Sequence, residues 1–309
     1  MYANEENITA FNLFDRDTIL HLRIPFSFYL LPVFWCGLSQ ASSIHLTNTI
    51  IVFIALHLFI YPGSNIYNSF MDKDTGSIGG LKEPPPVTRK LYYASMVVDA
   101  AGLALCALSG WQNVLVMAGY VAFSKAYSWE GTRLKKYGYL GWASVLFFQG
   151  GYTYMLANMA AEDVHGLAWF TARNIECMVF ASLIIGAYYP LTQIYQHEED
   201  SSRGDYTISY KLGVKGTFVF AAALFLAGAG IIYHYFNSYY SPMHFFVFLG
   251  GLLPVIAYFI YWFIKTTGNE SYADYDHAMR MTRLSACCMV LCYSVLLWLN
   301  LSSGRLAII

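Results

Sequence analysis

Charge is what this sequence has least of. Lys, Arg, Asp and Glu make up 12% of 309 residues while 57% are apolar, and the charged share is about half of what globular chains carry. A soluble fold of this length would be short of polar surface. Blocks of like charge are missing too, so no basic stretch resembles a nucleic-acid footprint and the net charge of −1 points to no partner. The six cysteines, Cys36, Cys106, Cys177, Cys287, Cys288 and Cys292, lack metal-ligand spacing with histidine and read as small core residues. The amino terminus has no basic start. It offers Glu5, Glu6, Asp15 and Asp17 with no small-residue cleavage site, so the first apolar segment is expected to stay attached rather than act as a leader.

Long apolar runs are present instead, and they match the roughly 20 residues a helix needs to cross about 30 Å of hydrocarbon. Spans are expected near 24–42, 47–69, 91–109, 111–129, 140–160, 174–196, 216–236, 243–265 and 284–302. None shows the period-two alternation of a membrane barrel, and helices satisfy their own backbone hydrogen bonds in lipid. The expected fold is an all-α polytopic membrane protein of nine transmembrane helices in the lipid bilayer.

With those spans, sixteen of the eighteen Lys and Arg residues fall on one side, and only Arg173 and Arg305 fall opposite. The positive-inside rule puts the amino terminus and the long loops in the cytoplasm, as in a cell inner-membrane protein. The polar chemistry is expected there.

An internal repeat is the most informative feature. Residues 61–76, YPGSNIYNSFMDKDTG, match 189–204, YPLTQIYQHEEDSSRG, at an offset of 128, with identities at Tyr61/Tyr189, Pro62/Pro190, Ile66/Ile194, Tyr67/Tyr195, Asp72/Asp200 and Gly76/Gly204. Each copy ends an expected span, the second and the sixth. The chain therefore reads as a single membrane domain over 1–309, built of two pseudo-repeated four-helix halves plus a ninth helix, with a site between the halves.

Helical spacing places Asn65, Asn68 and Asp72 on one face, and Gln193, Gln196 and Asp200 are expected to repeat that face. Amides and carboxylates near the end of a span are costly unless they meet protein, water or an ion. Taken alone, one copy could merely join helices by hydrogen bonds; two matched copies point to a site. Their oxygens are hard ligands suited to Mg²⁺, which completes its shell with water and phosphate oxygens and so implies a phosphorylated ligand. Nearby Lys82, Arg89, Arg133, Lys135, Lys136 and Arg203 supply countercharge for a phosphate. The 26 Tyr and 22 Phe could line a hydrocarbon pocket or face a carbocation. Asp99, midway along the third span, is expected to face the bundle interior, and His197 stands beside the second motif.

These residues resemble the UbiA superfamily of intramembrane prenyltransferases over most of the chain. The family's first motif, Asn-Asp-x-x-Asp-x-x-x-Asp, maps onto NSFMDKDTG, where Asn68 and Asp72 match, Ser69 and Gly76 replace aspartates, and Asp74 lies nearby. The second maps onto QHEED, where Asp200 and Glu198 match and Gln196 replaces the first aspartate. LRIPFSFYLLP at 22–32, Tyr127 with Arg133-Leu-Lys-Lys, and RGDYTISYKLG at 203–213 are similar to further family segments.

The resemblance implies nine helices, isoprenyl diphosphate as substrate and Mg²⁺ as cofactor. Asn68, Asp72, Glu198 and Asp200 would hold metal with Asp74 and Gln196 assisting, and Asn68, Asp72 and Asp200 would form the catalytic core. Lys82, Arg133, Lys135 and Arg203 would take the diphosphate, with Tyr127, Asn65, Gln193 and Gln196 completing the binding set. The implied activity is prenyl transfer, an alkyl transfer other than methyl, to a lipophilic or aromatic acceptor. The alternative is a UbiA-type terpene cyclase, a carbon–oxygen lyase that cyclises the chain without an acceptor; a non-catalytic transporter or receptor would release no diphosphate.

Overall fold

The computed structural model describes residues 12–309; Glu5 and Glu6 lie outside the described residues. The chain is predominantly helical. Its main helical segments are α1 (Arg16–Ser39), α2 (Leu46–Asp72), α3 (Arg89–Ser109), α4 (Trp111–Ser128), α5 over 138–162, α6 (Ala172–Gln193), α7 (His197–Ser202), α8 (Ile208–Tyr239), α9 (Pro242–Gly268) and α10 (Tyr275–Ser302). Among the described residues, seven are long and apolar enough to cross a membrane: α1, α2, α3, α6, α8, α9 and α10. The fourth and fifth expected spans fall on α4 and α5, which are not among the seven. Gln112, Asn113 and Lys125 dilute the apolar length of α4, and Gln149, Asn158 and the glycines at 138, 141, 150 and 151 dilute that of α5. Leu226, Leu253, Ile264, Leu291 and Trp298 stand exposed along the long helices, as large apolar side chains do where a bilayer covers them.

Where the helices break, the cause is local. In α1 the backbone turns left-handed at Arg23 (φ 48°) and restarts at Ile24 and Pro25, because proline lacks the amide hydrogen that a continuing helix needs. Pro190 lies inside α6 and leaves the Gly186 carbonyl without its helical donor; the Trp142 indole N–H donates to that oxygen at 2.8 Å. Gly213 (φ 66°, ψ 175°) kinks α8, a conformation that a residue without Cβ adopts readily.

Packing divides the chain into two compact units, one holding the described residues up to Phe28 with Ile50–Leu134, the other Tyr29–Thr49 with Lys135–Ile309. One boundary, near Leu134, falls between the fourth and fifth expected spans, but Tyr29–Thr49 packs with the second unit, so the two units are not the two expected four-helix halves. In the first unit Leu13, Leu22, Ile66, Leu91, Ala94 and Val98 form a buried cluster that binds α1 to α2 and α3. In the second, Leu191, Phe218, Trp262 and Met281 gather α6, α8, α9 and α10. The second unit also contains a departure from all-α structure, a parallel pair of two-residue strands, β1 (Ser43–Ile44) and β2 (Ala307–Ile308).

Candidate functional site

The first motif ends α2. Asn65, Asn68 and Asp72 share one helix as the spacing predicts. The Asn68 amide nitrogen donates to the Asp72 carboxylate at 2.7 Å and to Ser128 Oγ of α4 at 3.0 Å. Asp72 is buried and is the last residue of its helix, where the partial negative end of the helix dipole opposes a carboxylate. Arg133, also left-handed (φ 35°), brings a guanidinium nitrogen to 3.7 Å from Asp72 Oδ1. Tyr127 lies on α4 with its ring 6.0 Å from Phe123.

Asn65 turns elsewhere. Its amide donates to the Leu22 carbonyl and to Ser27 Oγ, both at 3.2 Å, and its own backbone carbonyl accepts from Arg23 at 2.8 Å. Arg23 also donates to the Gly79 carbonyl at 3.0 Å, and the His21 Nε2–H donates to the Pro85 carbonyl at 3.0 Å. The loop after the motif is thereby stapled to α1. Phe26 lies against Gly79 and Gly80, where an added Cβ would come within 2.6 and 2.8 Å of its side chain. Asp74 belongs to this loop and lines a groove of 440 Å³ with Lys73, Thr75, Pro84, Pro85, Pro86 and Val87. Lys82 is exposed at the turn, and its backbone carbonyl accepts from Ser77.

The second motif departs from the expected geometry. Gln193, Gln196 and Asp200 do not share a continuous helix face, because α6 ends at Gln193 and Gln196 sits in the turn before α7. The physical reason is the acidic triplet Glu198, Glu199 and Asp200, which fills the first turn of α7, where carboxylates meet the positive end of the dipole and favour a new helix start. Gln193 is buried; its amide donates to the Tyr189 hydroxyl at 2.8 Å, and its Oε1 accepts no hydrogen bond among the described residues. Glu198 is exposed and Asp200 half-buried. The Asp200 carbonyl accepts from the Asp205 amide. Arg203 donates to Glu199 at 3.0 Å. Lys135 forms a 3.2 Å ion pair with the buried Asp205, in the segment where Tyr137 and Gly138 bridge to Tyr206 and Thr207. His197 lies 2.8 Å from Ser209 Oγ, and burial pushes its imidazole below the ordinary range against the opposing Glu270 carboxylate.

Asn68, Asp72 and Arg133 are thus brought together in the first unit, while Lys135 and Arg203 of the second each hold an acidic partner. Sequence reasoning missed Ser128, which orients Asn68, and Lys125, which pairs with Asp99 at 2.5 Å. A signal for Lys125 was available, since an acid within a span calls for a cation on a neighbouring helix. Among the described residues no three His, Cys, Asp or Glu side chains gather to hold a metal ion unaided. The oxygens of Asn68 and Asp72 in the first unit are nonetheless of the hard kind that suits Mg²⁺, an ion that needs only one or two carboxylates beside phosphate and water.

Comparison with known proteins is consistent with this chemistry. The model of the UbiA prenyltransferase family matches residues 29–285. The chain belongs to the UbiA prenyltransferase family. Among solved structures it is similar to a UbiA homologue from Aeropyrum pernix K1 in its apo form, with a TM-score of 0.66 at 16% identity over 90% of this chain and 98% of that one. A UbiA homologue from Archaeoglobus fulgidus bound to GPP and Mg²⁺ gives 0.63 at 15% identity, covering 91% and 99%. A digeranylgeranylglyceryl phosphate synthase gives 0.58 at 14%, covering 91% and 97%. No curated protein matches the chain. At these identities the structural likeness shows the UbiA fold, while membership of the family together with the long apolar helices makes this an integral membrane protein.

Proposed function

We propose that this protein is a Mg²⁺-dependent prenyltransferase of nine membrane spans, with its amino terminus and polar loops in the cytoplasm and its site facing the inner leaflet of a cell inner membrane. The substrate is an isoprenyl diphosphate. The acceptor is a lipophilic or aromatic molecule. The observation that carries the reading is the buried Asp72 carboxylate at the carboxyl end of α2, joined by Asn68 and approached by Arg133. A carboxylate there is opposed by both burial and the dipole, so the position is made for a cation. The GPP and Mg²⁺ bound to the Archaeoglobus homologue support the same ligands here.

Asn68, Asp72, Glu198 and Asp200, with Asp74 and Gln196, are the residues that would hold Mg²⁺. When bound, the ion neutralises the diphosphate and helps it to leave. Ser128 shares the Asn68 amide nitrogen with Asp72 and so holds that side chain beside the carboxylate. Arg133, Lys135, Arg203 and Lys82 supply positive charge for diphosphate oxygens. The allylic carbon–oxygen bond breaks with its electron pair leaving on diphosphate. The acceptor then forms a bond to the allylic carbon and gives up a proton, in a cavity poor in water.

The test is diphosphate release by detergent-purified protein with Mg²⁺ and C10, C15 or C20 isoprenyl diphosphates, with and without a lipid or aromatic acceptor pool. Turnover that needs the acceptor, and that falls by about 10²-fold or more in Asp72→Ala and Asp200→Ala, supports the proposal. Turnover unchanged in both variants overturns the site. A cyclic hydrocarbon formed without acceptor assigns a terpene cyclase instead.

A further inference from the structure

Beneath the first motif lies a buried charge pair that the chemistry above does not use. Lys125 of α4 meets Asp99 of α3 at 2.5 Å, with side-chain exposures of 18% and 6%. The ammonium also sits 4.2 Å from the centroid of the Tyr67 ring on α2, within range of a cation–π contact. Asp99 can approach α2 only because residue 63 is glycine; a Cβ there would fall 2.2 Å from Asp99 Oδ1. Three helices therefore converge on one pair of opposite charges.

Its place along those helices gives it meaning. Tyr67 directly precedes Asn68. Lys125 precedes Ser128 by three residues, so the two lie on one face of α4, about one turn apart. That face touches α2 twice, through Lys125 at the Tyr67 ring and through Ser128, whose Oγ accepts from Asn68. The aligned residue in the second copy of the repeat is Leu191 rather than glycine, so the first motif alone has this arrangement. A buried ion pair is weak evidence for stability, since apolar residues of equal volume often do as well, and fixing one arrangement is its better-attested use.

We infer that Asp99 and Lys125 are positioning residues that fix the register of α2 against α4 and so hold Asn68 and Asp72 ready for the cation; this rests on the proposed Mg²⁺-dependent reaction. The pair neither touches substrate nor supplies a proton.

The test is the doubly neutral variant D99N/K125M, with K125R as the variant that keeps the cation. Hydrogen exchange of the ligand-free protein in detergent reads the motif itself, and the Mg²⁺ concentration for half-maximal diphosphate release from geranyl diphosphate reads its consequence. The expected result is a melting temperature close to wild type in D99N/K125M, with amide exchange over residues 66–72 faster by about ten-fold and the Mg²⁺ requirement raised by about ten-fold, as for coupled neighbouring residues. K125R should restore both. Wild-type exchange and a wild-type Mg²⁺ requirement in D99N/K125M would overturn the inference and leave the pair a packing feature. Should wild-type protein release no diphosphate at all, the functional reading falls, and exchange over 66–72 still decides the role of the pair.

Discussion

Substituting Gly63 by alanine sets two physical effects against each other, and the structure decides the sign. In a helix interior alanine is favoured over glycine by about 0.8–1.0 kcal/mol, so propensity alone predicts a more stable protein. At Gly63, however, the new methyl would lie 2.2 Å from Asp99 Oδ1 and 3.0 Å from its Cγ. Overpacking of that kind costs about 1–3 kcal/mol, and displacing Asp99 from Lys125 approaches the cost of breaking a buried pair, about 3–5 kcal/mol. With partial relaxation the net loss should be about 1–4 kcal/mol, which for a chain of this size lowers the apparent melting temperature by about 2–8 °C. Fluorescence-monitored melting of Gly63→Ala in detergent measures it. Gly230→Ala is the control, because Gly230 lies within α8 with no atom within 4 Å of the added Cβ, so only the propensity gain remains. In a D99A/K125M background, where the carboxylate is gone, Gly63→Ala should likewise become neutral or stabilising. If Gly63→Ala melts as high as wild type, the close approach of Asp99 does not exist in solution.

Three further outcomes are expected. Lys135→Met takes the ammonium away from the Asp205 carboxylate, which is 1% exposed in its 3.2 Å ion pair, and should destabilise the protein by about 3 kcal/mol; adding Asp205→Asn should recover most of the melting temperature. Burial holds the His197 imidazole below its ordinary range, so the unfolded chain binds the proton more readily than the folded one. The stability from neutral His197 is present above about pH 6.5 and is lost as pH falls below that value; melting from pH 7.5 to pH 5 should show a decline that is shallower in His197→Gln. At Gly150 an added Cβ would come within 2.6 Å of Ser182 Cα and 2.7 Å of the Ala181 carbonyl, backbone atoms that cannot rotate aside, so Gly150→Ala should lower the yield of folded protein in size-exclusion chromatography, where Gly230→Ala does not.

Much of the fold could be read from hydrophobic run lengths, because a bilayer demands segments of one length and the chain supplies them. What could not be read was where a long apolar run breaks. The left-handed turn at Arg23 is held by guanidinium bonds to the carbonyls of Asn65 and Gly79, residues about 40 and 55 positions away, and no local pattern announces them. The first motif was legible because α2 runs as regular helix from Tyr61 to Asp72, so helical spacing held. In the second copy the same spacing misled. Identity at Tyr189, Pro190 and Asp200 suggested one helix, whereas three consecutive acids are better placed at a helix start than in its middle. The Asp99–Lys125 pair is half legible: the acid stands out within a span, but Lys125 lies near the end of its helix, where a basic residue needs no partner to explain it.

That difference between the two copies bears on how the motifs work. Asp72 ends its helix, so the dipole opposes its charge, and the surrounding groups must hold it there. Asn68 donates to it, Ser128 orients Asn68, and Arg133 approaches it. Asp200 lies in the first turn of α7 with Glu198 and Glu199, and the dipole favours all three charges. The same dipole ends act on a cation, drawing it to the carboxyl end of α2 and opposing it at the amino end of α7. The first motif therefore has the greater demand for positive charge. On the proposed Mg²⁺-dependent reaction, a loss of helix register around α2, α3 and α4 is expected to raise the Mg²⁺ requirement more than an equal loosening of α7, and the Mg²⁺ dependence of diphosphate release in D99N/K125M measures the first of these.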